Sequence, residues 1–281
     1  MGRRPGSTTP VQVTVVEDGG ARVRPDQLAT EEPMEIRVAA VGERRSVAVT
    51  MRTPGADFEL AAGFLFSEGV VAGREGIRSI RYCLDRDVEP DQRYNVVTVE
   101  LAGPALPALE TMERHFVTSS ACGVCGKSSL EALQLRAGPV AGGPQVGAGT
   151  LHRLPEELRR AQGVFSSTGG LHAAALFTPD GGLVAAREDV GRHNAVDKLV
   201  GWALLEGRLP LSGHVLVVSG RSSYEILQKA VTAGVPMVCS VSAPSSLAVD
   251  VARAFGVTLV GFLRDGRFNV YAGEGRVSSP R

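Results

Sequence analysis

The carboxy-terminal third alternates short apolar runs with amphipathic stretches, and this alternation constrains the fold more than any other feature. Residues 214–218, 235–241 and 257–263 are apolar runs rich in Val and Leu. Between them, residues 224–233 and 246–255 carry apolar side chains at helical spacing. Such alternation predicts parallel strands covered on both faces. Right-handed crossovers then bring the turn after each strand to one edge of the sheet. Two more strands are predicted upstream, over 171–177 and 183–187, joined at Asp180-Gly181-Gly182. A helix over 192–206 places Val196, Leu199, Val200 and Ala203 on one face. A short helix over 155–162 opens on Pro155, and residues 267–271 pair beside the last strand.

A smaller α+β unit precedes this core, over residues 11–110. It contains a strand at 11–16, a hairpin of 35–41 and 46–50 around Gly42-Glu43-Arg44, a helix at 57–66 and a strand at 93–101. Residues 1–10 are polar and expected to be disordered. Residues 111–150 hold a cysteine loop, a helix and a Gly/Pro-rich linker over 137–150 that is expected to move. The main α/β domain spans 151–275, with a tail at 276–281. Lys plus Arg and Asp plus Glu number 30 each, so no global field favours nucleic acid or an anionic membrane. No apolar run approaches membrane-spanning length and the first residues lack a signal-peptide pattern, so the expected location is the cytoplasm.

Four segments carry candidate chemistry. The first is Ala121-Cys122-Gly123-Val124-Cys125-Gly126-Lys127. Two thiols three positions apart share one small site, and a following helix start and Lys127 favour thiolate over thiol. The spacing leaves three readings open: a structural zinc site short of ligands, a dithiol redox motif, and a sulfur-transfer loop. Cys83 and Cys239 sit in apolar runs and read as small buried hydrophobes. The second segment is the pair of turns Ser219-Gly220-Arg221-Ser222-Ser223 and Ser242-Ala243-Pro244-Ser245-Ser246. Both fall between a strand and a helix, where free amides hold phosphate; Ser222 with Glu225 reads as a capping box. The plain alternative is helix capping alone. The third is Phe262-Leu263-Arg264-Asp265-Gly266-Arg267, whose two arginines suit a pyrophosphate, or else mark a solvated hairpin turn. The fourth is Asp189-Val190-Gly191-Arg192-His193-Asn194, denser in polar groups than a helix start requires, with His172 expected in the same region.

Taken in order, Cys122-Gly-Val-Cys125-Gly, Thr168-Gly-Gly-Leu-His172, Asp189-Val-Gly-Arg-His-Asn-Ala-Val-Asp-Lys198, Ser219-Gly-Arg-Ser-Ser223 and Phe262-Leu-Arg-Asp-Gly-Arg267 resemble the FdhD/NarQ family of formate dehydrogenase accessory sulfurtransferases. The resemblance spans about residues 35–271. It implies a three-layer α/β/α, cytidine-deaminase-like core with a smaller N-terminal α+β domain. The zinc deaminases' H-x-E motif is absent, so deamination is not expected. The resemblance further implies that a cysteine desulfurase loads a persulfide on Cys122, with Cys125 relaying or releasing the sulfur. The acceptor it implies is the molybdenum bis(molybdopterin guanine dinucleotide) cofactor, passed on to formate dehydrogenase, with residues 262–267 as the cofactor-binding stretch and no permanently bound metal. Guanine contacts are expected from Asp189 to Asn194. A non-catalytic cofactor chaperone is the rival reading. A homodimer is expected, because two guanine dinucleotide arms need two sites.

Overall fold

The computed structural model describes residues 5–83, 89, 92–106, 130, 133–134, 137–140 and 142–278. Its largest sheet has six strands: β8 (His172–Phe177), β9 (Leu183–Asp189), β10 (Val215–Val218), β11 (Met237–Ser240), β12 (Thr258–Arg264) and β13 (Arg267–Ala272). Their order is β13-β12-β11-β10-β8-β9. Only β10, β11 and β12 are mutually parallel; the β8–β9 hairpin lies antiparallel beside β10, and β13 lies antiparallel beside β12.

Alternate residues of each strand serve opposite faces. Ala173, Ala175 and Phe177 pack with Val217, Cys239 and Val260 beneath one helix, α2 (Ala148–Ala161). Leu151, Leu154 and Leu158 form that helix's buried stripe. The helix begins seven residues before Pro155, so Pro155 lies inside it rather than at its start. A six-residue helix, α3 (Gly163–Thr168), follows it. Ala174, Leu176, Leu216 and Val238 face the other way, toward α4 (Arg192–Leu205), α5 (Tyr224–Thr232) and α6 (Ser246–Ala254). The three-layer α/β/α arrangement is therefore present.

The N-terminal sheet has the order β4-β3-β6-β5. It consists of β3 (Glu32–Ala40), β4 (Glu43–Arg52), β5 (Ile77–Tyr82) and β6 (Val96–Leu101). Helix α1 (Asp57–Ser67) lies between this sheet and α4, so the two parts share one continuous core. The fully buried Arg52 ties β4 to the start of α1, through Nε to Asp57 Oδ1 at 3.1 Å and Nη2 to Asn95 Oδ1 at 2.9 Å. A separate ribbon of β1 (Thr8–Glu17) and β2 (Gly20–Ala29) precedes the sheet. Its first strand starts inside the stretch read as a disordered tail, and its second strand was not anticipated.

Two glycines set the distance between α1 and α4. A Cβ on Gly63 would stand 1.9 Å from the Asp197 carbonyl, and one on Gly201 would stand 1.8 Å from the Glu59 carbonyl. The helices touch backbone to backbone, and no side chain fits there. Beside the crossing, Lys229 Nζ reaches Asp197 Oδ1 at 2.7 Å and Ser67 Oγ donates to the same oxygen. Burial alone would push the Lys229 ammonium toward neutrality, but Asp197 and Glu68 outweigh it and hold its pKa above the ordinary lysine value.

The segment expected to be a moving linker is tied down along its described part. Val140 N donates to Phe255 O, and Arg276 donates to Gly142 O and Gly256 O at 2.9 Å each. β7 (Val146–Gly147) pairs with β14 (Val277–Ser278), so the chain's end secures the strand that leads into α2.

Gly201→Ala is expected to cost about 2–3 kcal/mol of stability, since overpacking a rigid backbone contact leaves nothing to yield. Urea denaturation checks this. An unchanged midpoint would show that the two helices separate freely.

Candidate functional site

The C-terminal ends of β10, β11 and β12 open at one edge, and the turns that follow them are joined. Ser245 N donates to Ser222 O at 2.9 Å, and Phe262 N donates to Ser242 O at 3.1 Å. Ser219 belongs to the frame: its amide donates to Ala173 O and its hydroxyl accepts from Ala173 N. Ser222 is fully buried, and its hydroxyl has no partner among the described residues. The expected capping box is absent. α5 starts after Ser223, which leaves its helix amides uncapped and bonds His193 Nε2 at 3.1 Å instead. Ser245 does cap α6, accepting from Ala248 N. Gly220 packs closely on His172: a Cβ there would stand 3.3 Å from His172 Nδ1, so the ring would have to yield by a few tenths of an ångström. Arg221 lies beside it, exposed.

The stretch 262–267 divides in three. Phe262 sits in left-handed backbone, φ 53°, which a bulky residue adopts only when its surroundings enforce it. Leu263 is fully buried in the layer beneath α2. Arg264, Asp265, Gly266 and Arg267 form an exposed turn in which Arg264 and Arg267 are cross-strand partners. The two arginines therefore stand side by side at the rim.

Asp189 and Asn194 do different work from the expected guanine contact. Asp189 is fully buried and its oxygens are saturated: Lys198 Nζ at 2.7 Å, Thr53 N at 3.1 Å, Gly191 N at 2.8 Å and Asn194 Nδ2 at 3.0 Å. Asn194 Nδ2 also donates to Met51 O at 2.7 Å, and Lys198 Nζ to Thr53 O at 2.8 Å. These bonds engage both side chains within the protein. They join the end of β4 to the β9–α4 turn and so fasten the N-terminal sheet to the edge. Polar density in a sequence reads alike for a ligand site and for an interdomain joint.

Arg192 and His193, on the same turn, do face the edge. Arg192 Nε is buried with no partner among the described residues. His193 keeps a third of its side chain exposed and also approaches Glu225 Oε2 at 3.6 Å. Burial, opposed by Glu225 and aided by Arg192, Lys229 and His172, pushes its pKa down to about 4. Burial, aided by Arg192, also lowers that of His172.

Beside His172 a cavity of about 610 Å³ opens between the edge and the α2–α3 corner. Phe165 forms one wall, with the Arg159 guanidinium 4.1 Å from its ring centroid. Glu188 accepts from Val164 N at 3.0 Å and Phe165 N at 2.8 Å, which fixes the start of α3 and thereby the ring. Gln162 lines the same cavity; it is 4% exposed, and its Nε2 has no partner among the described residues. A buried amide without a partner is costly unless something supplies the missing bond. Sequence reasoning missed Gln162, Phe165 and Arg159, since nothing in their spacing distinguishes them before burial is known.

Cys122 and Cys125 lie outside the described residues. The cysteines that are described, Cys83 and Cys239, are buried, and burial pushes the Cys239 thiol well above its ordinary pKa. Among the described residues, no three His, Cys, Asp or Glu side chains group to hold a metal, and no helix is long and apolar enough to cross a membrane.

The model of the FdhD/NarQ family matches residues 29–278. A sulfur carrier protein FdhD from Mycolicibacterium paratuberculosis is 54% identical over 95% of this chain and 97% of its own length. One from Streptomyces coelicolor is 55% identical over 95% and 94%. A crystal structure from Desulfotalea psychrophila, described as a candidate formate dehydrogenase accessory protein, superposes with a TM-score of 0.74 at 26% identity, covering 96% of this chain and 99% of that one.

Two outcomes follow from this geometry. Asp189→Ala strands the buried Lys198 ammonium and is expected to cost about 3–5 kcal/mol, measured by chemical denaturation, with part recovered when Lys198→Met is added. Between pH 6.5 and about 4 the unfolded chain takes up a proton that folded His193 refuses. Stability therefore falls as pH drops through that window, and His193→Gln should flatten the slope. A His193 ring that titrates near 6.5 by NMR would contradict this.

Proposed function

The chain belongs to the FdhD/NarQ family, and on that premise we propose that it is a sulfur carrier serving a molybdenum cofactor bound for formate dehydrogenase. Cys122 is the carrier. Its thiolate attacks the outer sulfur of a persulfide on a cysteine desulfurase; the sulfur–sulfur bond breaks and the desulfurase thiolate leaves. The sulfane sulfur is then one atom at the zero oxidation level. Delivering it to molybdenum as a sulfido ligand takes two electrons. The Cys125 thiol supplies them as the Cys122–Cys125 disulfide forms, and a cellular thiol reductant restores the pair. This gives Cys125 a defined part and explains why two thiols lie three positions apart.

The molybdenum bis(molybdopterin guanine dinucleotide) is the acceptor substrate, held at the sheet edge. The observation that carries this reading is the cavity with a buried amide, unpartnered among the described residues, beside an aromatic wall. Its volume falls within the range of small-molecule sites. Phe165 and Arg159 offer a flat face to a purine, and Gln162 Nε2 donates to the purine edge. Ser222 and Arg192, both with buried atoms that lack a partner among the described residues, face the phosphates. Arg221, Arg264 and Arg267 lie exposed farther out and serve the outer phosphates or the second dinucleotide arm. Asp189 and Asn194 support the site without touching the ligand.

Gln162→Leu and Phe165→Ala should each weaken binding of guanosine diphosphate by about tenfold or more in calorimetric titration, the equivalent of one buried hydrogen bond or stacking contact. Unchanged affinity in both would remove the base from this cavity. In cells lacking the native protein, Cys122→Ala should abolish formate dehydrogenase activity. Activity retained with Cys122→Ala would instead support a cofactor-binding chaperone.

A further inference from the structure

Three side chains at the sheet edge have no part in the site as proposed. His193 Nε2 stands 3.1 Å from Ser223 Oγ and 3.6 Å from Glu225 Oε2, at the starts of α4 and α5. Ser223 is the N-cap of α5, yet its hydroxyl caps no helix amide. An N-cap serine ordinarily serves its own helix. Here the hydroxyl bonds His193 and the Glu225 carboxylate instead. Glu225 keeps 53% of its side chain exposed and His193 33%. The cluster is held in place and still open to a ligand.

Its charge state suits an uncharged hydrogen-bonding edge and not another phosphate. Burial would raise the Glu225 carboxyl, but bonds from Ser223 and its own amide, with His193 and Arg192 nearby, outweigh that and hold it below the ordinary carboxylate range. At neutral pH a phosphate would meet this negative charge and be repelled. Burial pushes His193 down to about 4, so at neutral pH its ring is uncharged and carries one proton. The cluster therefore presents two carboxylate acceptors beside a hydroxyl and a ring nitrogen that can donate.

Gly220 marks the path from the purine cavity to this cluster. A Cβ on it would meet His172 Nδ1, in the cavity wall, at 3.3 Å and Arg192 Cδ at 3.6 Å. His193 follows Arg192 directly. The cavity lies on the α2 side of the six-stranded sheet, whereas α4 and α5 cover the other face. A ligand running from the cavity over Gly220 and Arg192 crosses the sheet edge and reaches the cluster next. A pterin guanine dinucleotide is ordered base, phosphates, pterin. With the base in the cavity and the phosphates at Arg192, the pterin comes last.

Given the acceptor proposed above, on which this step rests, we infer that Glu225, with His193 and Ser223, binds the pterin ring. The 2-amino-4-oxo edge of a pterin carries two adjacent N–H donors, on N3 and on the 2-amino group, beside one carbonyl. The Glu225 carboxylate accepts both donors as a fork, and His193 Nε2 or Ser223 Oγ donates to the carbonyl. Bonds to an ionised acceptor are the stronger kind, so Glu225 carries most of the recognition. Guanine offers the same edge, but its flat wall, Phe165 under the Arg159 guanidinium, stands on the cavity side. The cluster therefore discriminates a pterin from a lumazine, in which a carbonyl oxygen replaces the 2-amino group and turns one donor into an acceptor facing the carboxylate.

NMR titration of the full chain with pterin, in saturating guanosine diphosphate, tests this, since amide shifts register weak binding. Shifts should centre on Ser223, Tyr224 and Glu225. Lumazine should bind about tenfold more weakly or worse, the equivalent of one charge-assisted hydrogen bond. Glu225→Gln should erase that preference while the calorimetric affinity for guanosine diphosphate and the melting temperature stay at wild-type values. Equal affinity for pterin and lumazine, a preference that survives Glu225→Gln, or no shift at the solubility limit of pterin overturns the pterin site. Guanosine diphosphate affinity lost in Glu225→Gln would put the guanine at the cluster, which overturns this inference and the purine cavity together. Guanosine diphosphate that binds nowhere counts against the proposed acceptor alone, and the same pterin titration without nucleotide then decides the cluster.

Discussion

The rest of the structure depends on how Asp189 is satisfied. A buried carboxylate is tolerated only when every lone pair has a donor and a counter-charge lies close. Asp189 has Lys198, Asn194 and two backbone amides, one of them from Thr53 across the joint with the N-terminal sheet. Because Lys198 and Asn194 come from the first two turns of α4, the same interaction sets how that helix leaves β9. It thereby aims Arg192 and His193 at the sheet edge. The glycine crossing of α1 on α4 holds the helix from its outer side. Site and joint are thus one object: a change that loosens the joint also moves the edge.

Much of the core was legible because its signal is local and periodic. The apolar runs 214–218, 235–241 and 257–263 could hardly be anything but buried strands, and Asp180-Gly181-Gly182 marked a hairpin. What escaped was structure whose meaning depends on distant neighbours. β2 alternates Arg22, Arg24 and Asp26 with a proline and has no apolar stripe, although Asp18-Gly19 at its turn was a usable signal. β5 reads Ile-Arg-Ser-Ile-Arg-Tyr, which shows no clean period of two. The linker over 137–150 has a mobile composition, yet Arg276 and β14, more than a hundred residues later, hold it.

The candidate site shows the same division. Arg192, His193, Ser222, Arg264 and Arg267 were found as polar groups at a predicted edge, and the fold brings them there. Asp189 and Asn194 belonged to the same run and were indistinguishable from them until burial separated the two roles. Gln162 lay outside every motif, since its significance comes from having an amide with no partner among the described residues inside a cavity. The cysteines within the described frame, Cys83 and Cys239, are buried. Cys239 sits in the middle of β11 where burial suppresses its thiolate, and the proposed function places sulfur chemistry on Cys122 and Cys125 alone.

That confinement is the account's central claim, and peptide mass spectrometry addresses it most directly. The protein is incubated with a cysteine desulfurase and cysteine, and the peptides bearing Cys122, Cys125, Cys83 and Cys239 are weighed separately. The account predicts a gain of one sulfur atom on the peptide with Cys122, lost in Cys122→Ala and absent from the peptides of Cys83 and Cys239. No gain on any peptide, or a gain on Cys239, would contradict it.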